Sequence, residues 1–185
     1  MNPKRILLVD DEPNIRILLG SILQQAGYFV DVAEDGYAAL RKVQQALPDV
    51  IITDLRMPNM NGFELLSVIR TRFPQLPTIA ISGEFVSVHE EPLADAFFQK
   101  GHYEMAEFLG TIGQLLNTPR KSQPKLQSSA MWTPVKDAPV MLTCAECLRS
   151  FPIEPCENPE HLKEMNCIFC GTLLKVQLVA IGVAQ

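Results

Sequence analysis

The sequence predicts an α/β protein: a doubly wound, five-stranded parallel sheet over residues 1–117, followed by a small β domain over 141–185. Three observations carry this. Apolar runs of strand length alternate with segments of helical period through the first part of the chain. Two of those runs, Ile6-Leu7-Leu8-Val9 and Val50-Ile51-Ile52-Thr53, end abruptly on carboxylates, Asp10-Asp11 and Asp54. All five cysteines follow residue 143, and four of them form two C-x-x-C pairs.

Taken in order, residues 5–10 form the first strand. Ile15, Leu18, Leu19, Ile22, Leu23 and Ala26 then share one helical face, with Pro13 near the start and Gly27 just past the end. Residues 28–33 are the second strand, and Asp35 is placed to cap a helix bearing Ala39, Leu40, Val43 and Leu47. Pro48 stops that helix, and residues 50–54 are the third strand. Pro58, Asn59, Asn61 and Gly62 make a turn before a helix over 63–72 with Phe63, Leu66 and Ile69 inward. Residues 78–82 and 96–99 are the fourth and fifth strands. Met105, Leu109, Ile112 and Leu116 line a last amphipathic helix.

Composition excludes several classes. Apolar residues make up 47% of 185, enough for a real core, and the net charge is −5. There is no apolar run long enough to cross a bilayer, and the amino end enters a strand directly, so no secretory signal or membrane contact is expected and the location expected is cytoplasmic. Charge divides unevenly: residues 1–117 hold 9 Lys/Arg against 15 Asp/Glu, residues 118–140 hold 4 against 1, and residues 141–185 hold 3 against 5. The middle piece is polar, proline-bearing and aperiodic, which marks a linker over 118–140.

Asp10, Asp11 and Asp54 would meet at the carboxyl edge of one sheet, where open α/β sheets place their reactive groups. Three carboxylates there repel one another unless a cation intervenes, and hard oxygen ligands suit Mg²⁺. Taken singly, each residue has a plain structural role. A DD pair caps a helix, Lys100 is a solvated lysine, Ser82 is a strand-end hydroxyl, and Phe97 is core.

Taken jointly and in order, Asp10-Asp11, Asp54 with its Met57-Pro58 turn and Gly62, Ser82-Gly83 and Lys100 resemble the receiver domain of two-component response regulators. The resemblance covers residues 4–117 and implies a flavodoxin-like fold. It implies that Asp54 is the phosphoacceptor, taking a phosphoryl group from a phosphohistidine on a sensor histidine kinase. Asp10, Asp11, Asp54 and the carbonyl of Arg56 would hold Mg²⁺. Ser82 and Lys100 would bind phosphoryl oxygens, Gly83 would leave room for the group, and Phe97 would be the aromatic switch that follows Ser82. Arg56 and Glu84 would flank the entry of a hydrolytic water. Two departures from the family pattern stand out. Gly101 replaces the usual proline after the lysine, which implies a looser Lys100 loop. The interval from Ser82 to Lys100 is short and carries Pro92, so the fourth helix is expected to be short or frayed, which puts an ordinary phosphorylation-dependent dimer in question.

In the second domain, Cys144-Ala-Glu-Cys147 and Cys167-Ile-Phe-Cys170 are separated by 19 residues. Each pair makes a knuckle that aims two thiolates at one point, and two knuckles close a tetrahedral Zn²⁺ site. The arrangement resembles a zinc ribbon, with a strand over 172–180. Cys156 and His161 are alternative ligands, read here as a spare thiol and a surface residue. A closed four-thiolate site is structural, and residues 118–185 show no second acid/base cluster, so the expected role is a signalling switch and not an enzyme. The ribbon would act as an adaptor toward an unidentified protein partner. A transcription regulator with a nucleic-acid-binding ribbon is the alternative. The acidic ribbon argues against it, because phosphate binding needs a basic surface, although Arg120, Lys121, Lys125 and Lys136 give the linker some attraction. An unphosphorylated receiver scaffold is the third reading.

Overall fold

The computed structural model describes residues 3–83, 94–118, 131–133, 140–153 and 162–177. Its first part is a five-stranded sheet in the order β2-β1-β3-β4-β5, formed by β1 (Arg5–Val9), β2 (Phe29–Ala33), β3 (Val50–Asp54), β4 (Thr78–Ser82) and β5 (Ala96–Gln99). Every pairing in it is parallel. This is the flavodoxin-like order, with the chain reversing direction across the sheet between β1 and β3.

Both faces of a parallel sheet are covered, so successive strand residues go to opposite cores. Leu7, Val9 and Ile51 pack with α2 (Gly36–Gln45) and α3 (Gly62–Arg72). Ile6, Leu8, Ile52, Ile79, Ile81 and Phe98 pack with α1 (Pro13–Gln25) and α4 (Met105–Asn117). Local sequence sets the helix ends. Pro13 opens α1, Asp35 accepts from the Ala38 N–H at 2.7 Å to cap α2, and Asn61 with Glu64 forms a reciprocal capping box on α3. Gly27 takes φ 92 after α1.

Several expected core positions lie outside. Leu18 is 62% exposed, Leu47 54% and Phe63 38%. Leu18 flanks the narrower face that α1 actually buries through Leu19 and Leu23, Leu47 falls beyond the end of α2, and Phe63 sits on the outer side of the first turn of α3. Phe97, expected as core, is 39% exposed, and its neighbour Phe98 is the buried aromatic, edge-on to Tyr103 and Phe108. Strand alternation sends adjacent residues to opposite faces, and two phenylalanines in a row do not reveal which one faces the larger core. The expected fourth helix, with Glu84 and Pro92, lies outside the described residues.

The second part contains two small antiparallel sheets. One is β6 (Met131–Thr133), β7 (Val140–Thr143) and β8 (Ser150–Ile153), in that order; the other pairs β9 (Leu162–Asn166) with β10 (Leu173–Gln177). Met131–Thr133 falls in the stretch that composition marks as linker, yet its backbone pairs with β7 and lies beside α3. Leu142, Cys144, Phe151, Cys167 and Leu174 form the small core of this part. No helix among the described residues is long and apolar enough to cross a membrane.

Candidate functional site

β1 and β3 run side by side and in parallel, so their carboxyl ends deliver Asp10 and Asp54 to the same edge of the sheet. Both are nearly buried, at 2% and 6% exposed, while Asp11 is the most open of the three. Oxygens of Asp10, Asp11 and Asp54 all lie within 4.8 Å of one another. β5 ends one strand beyond β4 and brings in Lys100. Its Nζ is 2.6 Å from Asp54 Oδ2, 2.9 Å from Asp10 Oδ2 and 3.5 Å from Glu12 Oε1.

Backbone donors orient the two buried acids. The Glu12 N–H donates to Asp10 Oδ1 at 2.9 Å, and the Arg56 N–H donates to Asp54 Oδ1 at 3.0 Å. Arg16 reaches back from α1 to donate to the Asp10 carbonyl. Gly62 is required where the turn doubles back on β3: a Cβ there would lie 2.1 Å from the Asp54 carbonyl oxygen. Ser82 is fully buried at the end of β4, and its carbonyl accepts from the Lys100 N–H at 2.8 Å.

Burial raises the pKa of Asp10, with the hydrogen bond from Lys100 opposing it. Burial alone would lower the pKa of Lys100, but hydrogen bonds to Asp54 and Asp10, with their charges, outweigh it and raise it. With all three acids ionised, the three carboxylates and one ammonium leave a formal charge of −2, which one divalent cation balances. The donor set is all oxygen, and Asp11, the most open of the three, leaves room for water ligands, so the residues fit Mg²⁺. The mouth beside Asp11 is lined by Arg56, Met57, Pro58, Asn61 and Phe63.

The sequence-derived residues Asp10, Asp11, Asp54 and Lys100 thus converge, with Ser82 at the adjoining strand end. Phe97 does not join them in the interior. Gly101 takes φ 77, a left-handed turn that closes with His102 N–H donating to the Gln99 carbonyl at 3.0 Å. Lys100 is accordingly held by two carboxylates despite the missing proline. Arg16 and Glu12 escaped the sequence reading. Their signal was weak, because charged residues in a first helical turn are ordinarily solvated.

The second cluster is made of thiols. Cys144, Cys147, Cys167 and Cys170 have sulfurs mutually within 4.8 Å. Cys144 Sγ lies 3.8 Å from Cys170 Sγ, and Cys147 Sγ 3.7 Å from Cys167 Sγ. A tetrahedron of Zn–S bonds has edges of about 3.8 Å, whereas a disulfide holds its sulfurs at about 2.05 Å. Four free thiols, two of their separations at tetrahedral edge length and all within 4.8 Å, fit zinc. Burial pushes the Cys144 thiol up to about 12, and hydrogen bonding by Thr172, side chain and then backbone, draws exposed Cys170 down to about 6. Cys156 and His161 lie outside the described residues.

The comparisons with known proteins agree with the sheet order and the acid cluster. The family model for the response regulator receiver domain matches residues 6–103, more than half of the chain. This chain belongs to the response regulator receiver family. Receivers hold Mg²⁺ at an acidic pocket, which here is Asp10, Asp11 and Asp54. The DNA-binding transcriptional regulator NtrC of Rhizobium meliloti is 29% identical over 133 residues, 70% of this chain and 28% of NtrC. The sensor protein EvgS of Escherichia coli is 49% identical over 72 residues, 39% of this chain and 6% of EvgS. The chain therefore spans under a third of the length of either relative. Among solved structures, the response regulator TrrA of Thermotoga maritima in complex with Mg²⁺–BeF is 35% identical, with a TM-score of 0.55 over 60% of this chain and 98% of that one. TrrA in complex with the histidine kinase ThkA aligns over 62% of this chain and 99% of that one, with a TM-score of 0.56 and 35% identity.

Proposed function

We propose that this receiver is phosphorylated on Asp54 by a sensor histidine kinase and signals through its cysteine-bearing part, a zinc ribbon that acts as an adaptor for another protein. One observation carries the reading: a nearly buried Asp54 at a strand end, 2.6 Å from the Lys100 ammonium and clustered with Asp10 and Asp11. An Asp54 carboxylate oxygen attacks the phosphorus of a phosphohistidine. The new O–P bond forms as the P–N bond breaks, and the imidazole nitrogen keeps the bonding pair. Lys100 then exchanges its carboxylate contact for a phosphoryl oxygen, and the Ser82 hydroxyl donates to another. Asp10, Asp11, Asp54 and the Arg56 carbonyl hold Mg²⁺, which when bound offsets the charge spread over the transferring group. The kinase partner is supported by the ThkA–TrrA complex, a relative's partnership.

In the second part, Cys144, Cys147, Cys167 and Cys170 hold Zn²⁺ as a structural ion. So small a core as Leu142, Phe151 and Leu174 leaves much of the folding free energy to the metal. We place the boundary between the two functional parts within residues 118–140 and the protein in the cytoplasm. The test is native mass spectrometry of the full chain with Mg²⁺ and acetyl phosphate. Wild type is expected to gain one phosphoryl group and Asp54→Asn none, with one zinc per chain in both. A wild-type chain that stays unmodified by both acetyl phosphate and a phosphorylated kinase overturns the phosphoacceptor assignment.

A further inference from the structure

The first cysteine knuckle does not stand free of the receiver. Gln44 on α2 donates from Nε2 to the Cys147 carbonyl at 2.8 Å. Arg72 at the end of α3 donates from Nε to the Glu146 carbonyl at 3.2 Å and lies 3.7 Å from the Glu146 carboxylate. Leu148, the residue after the second cysteine, is 6% exposed because it packs into the receiver core with residues of α2 and α3 such as Leu40, Val43, Leu65 and Val68.

Leu148 also adopts φ 57, in the left-handed region that a branched side chain rarely enters. Its N–H donates to the Cys144 carbonyl at 2.8 Å, closing the knuckle turn. That conformation needs support: burial of the side chain between α2 and α3 supplies one part, and zinc ligation through Cys144 and Cys147 would supply the other.

We infer that the knuckle is a metal-dependent clamp on the α2–α3 face, so that zinc occupancy of the four thiols and order in the receiver are thermodynamically coupled. This rests on the zinc reading proposed above. The clamped helix α2 is tied at its other end to the loop that follows Asp54. Asp35 caps α2 and accepts from Asn59 Nδ2 at 2.8 Å, the Gly36 N–H donates to the Met60 carbonyl at 2.9 Å, and Met57 and Met60 share the core cluster with Leu148. A ten-residue helix thus joins the knuckle to the phosphoacceptor loop. When the metal leaves, the turn at Leu148 relaxes, its side chain withdraws, and α2 loses the restraint at Gln44.

Coupling of this kind is reciprocal, which gives two independent tests on the full chain. Hydrogen exchange is measured on the zinc-loaded protein and after chelation. Exchange across 36–47 and 57–73 is expected to accelerate about tenfold, with β1, β3 and β4 unchanged. From the other side, Gln44→Ala with Arg72→Ala touches no thiol and leaves the receiver core intact. That variant is expected to weaken zinc about 5- to 10-fold in competition with a chromogenic chelator. If zinc binds but chelation leaves 36–47 and 57–73 unchanged, or the double variant holds zinc as tightly as wild type, the clamp is overturned while the zinc site stands. Exchange spreading through β1 and β3 overturns a local clamp in favour of a general metal requirement. A full chain that takes up no zinc overturns the site and the clamp together.

Discussion

Replacing Lys100 by Met removes the ammonium that Asp10 and Asp54 share, at 2.9 Å and 2.6 Å. The two acids are then left facing each other almost without solvent. Breaking a buried pair costs about 3–5 kcal/mol. Lys100 is itself 23% exposed, which brings the expected loss nearer 2–3 kcal/mol by solvent screening. Urea midpoints measured with a chelator present should show that loss, and added Mg²⁺ should recover much of it by taking over the neutralising charge. A variant as stable as wild type in chelator would mean that Lys100 does not hold the acids together. The convergence of Asp10, Asp11, Asp54 and Lys100 was legible only from their joint order along the chain, because singly a DD pair caps a helix and a lysine after a strand is solvated. The exposure of Phe97 was not. Its burial depends on which face of β5 is better covered, and Phe98 next to it satisfies the same pattern.

Among the elements, the start of β1 and the approach to β3 are joined through Asp49. It accepts from Lys4 Nζ and from the Arg5 N–H, both at 2.8 Å. Burial would raise the pKa of Asp49, but those two hydrogen bonds outweigh it and hold the carboxyl below its ordinary value. A lowered folded pKa contributes stability above the unfolded value of about 3.9, and that contribution disappears as pH falls through the folded pKa. Asp49→Asn should therefore lose stability at pH 7, and the gap to wild type should close as pH falls below the unfolded value of about 3.9 and through the folded pKa. The Lys4–Asp49 pair is 54% and 34% exposed, so the loss at pH 7 is under about 1 kcal/mol. Denaturation curves across pH check the sign: a gap that widens in acid contradicts the assignment. The helices and strands themselves were readable from period and punctuation. The misplaced positions, Leu18, Leu47 and Phe63, all lie at the flank or end of a helix, where periodicity says least about cover.

For the whole molecule, the acid cluster and the thiol cluster belong to parts of unequal strength. The receiver has two large buried cores around a five-stranded sheet, while the cysteine-bearing part has one small cluster that includes two of its own cysteines among its buried members. Chelation of zinc is expected to remove the ribbon's β7–β8 and β9–β10 pairing while the receiver still unfolds cooperatively on heating. Calorimetry should show the receiver transition surviving; one merged loss of both would contradict the division. The association of the two parts left no trace that a sequence reading could use. Gln44 and Arg72 lie on two separate helices and Leu148 in the turn between β7 and β8, and a leucine after a C-x-x-C is ordinary in a ribbon core. Nothing local distinguishes a leucine that fills its own small domain from one that fills a neighbour.

The contacts that hold the knuckle on α2 and α3 span 103 residues from Gln44 and 74 from Arg72. On a ribosome adding about 5–20 residues each second, the receiver helices wait several seconds or more for their cover to be made. During that interval the apolar gap that Leu148 later fills faces solvent. The protein is then most vulnerable to misassembly with a neighbour or to capture by a chaperone. A shortage of metal would prolong the exposure, so zinc supply would show first in the yield of soluble protein.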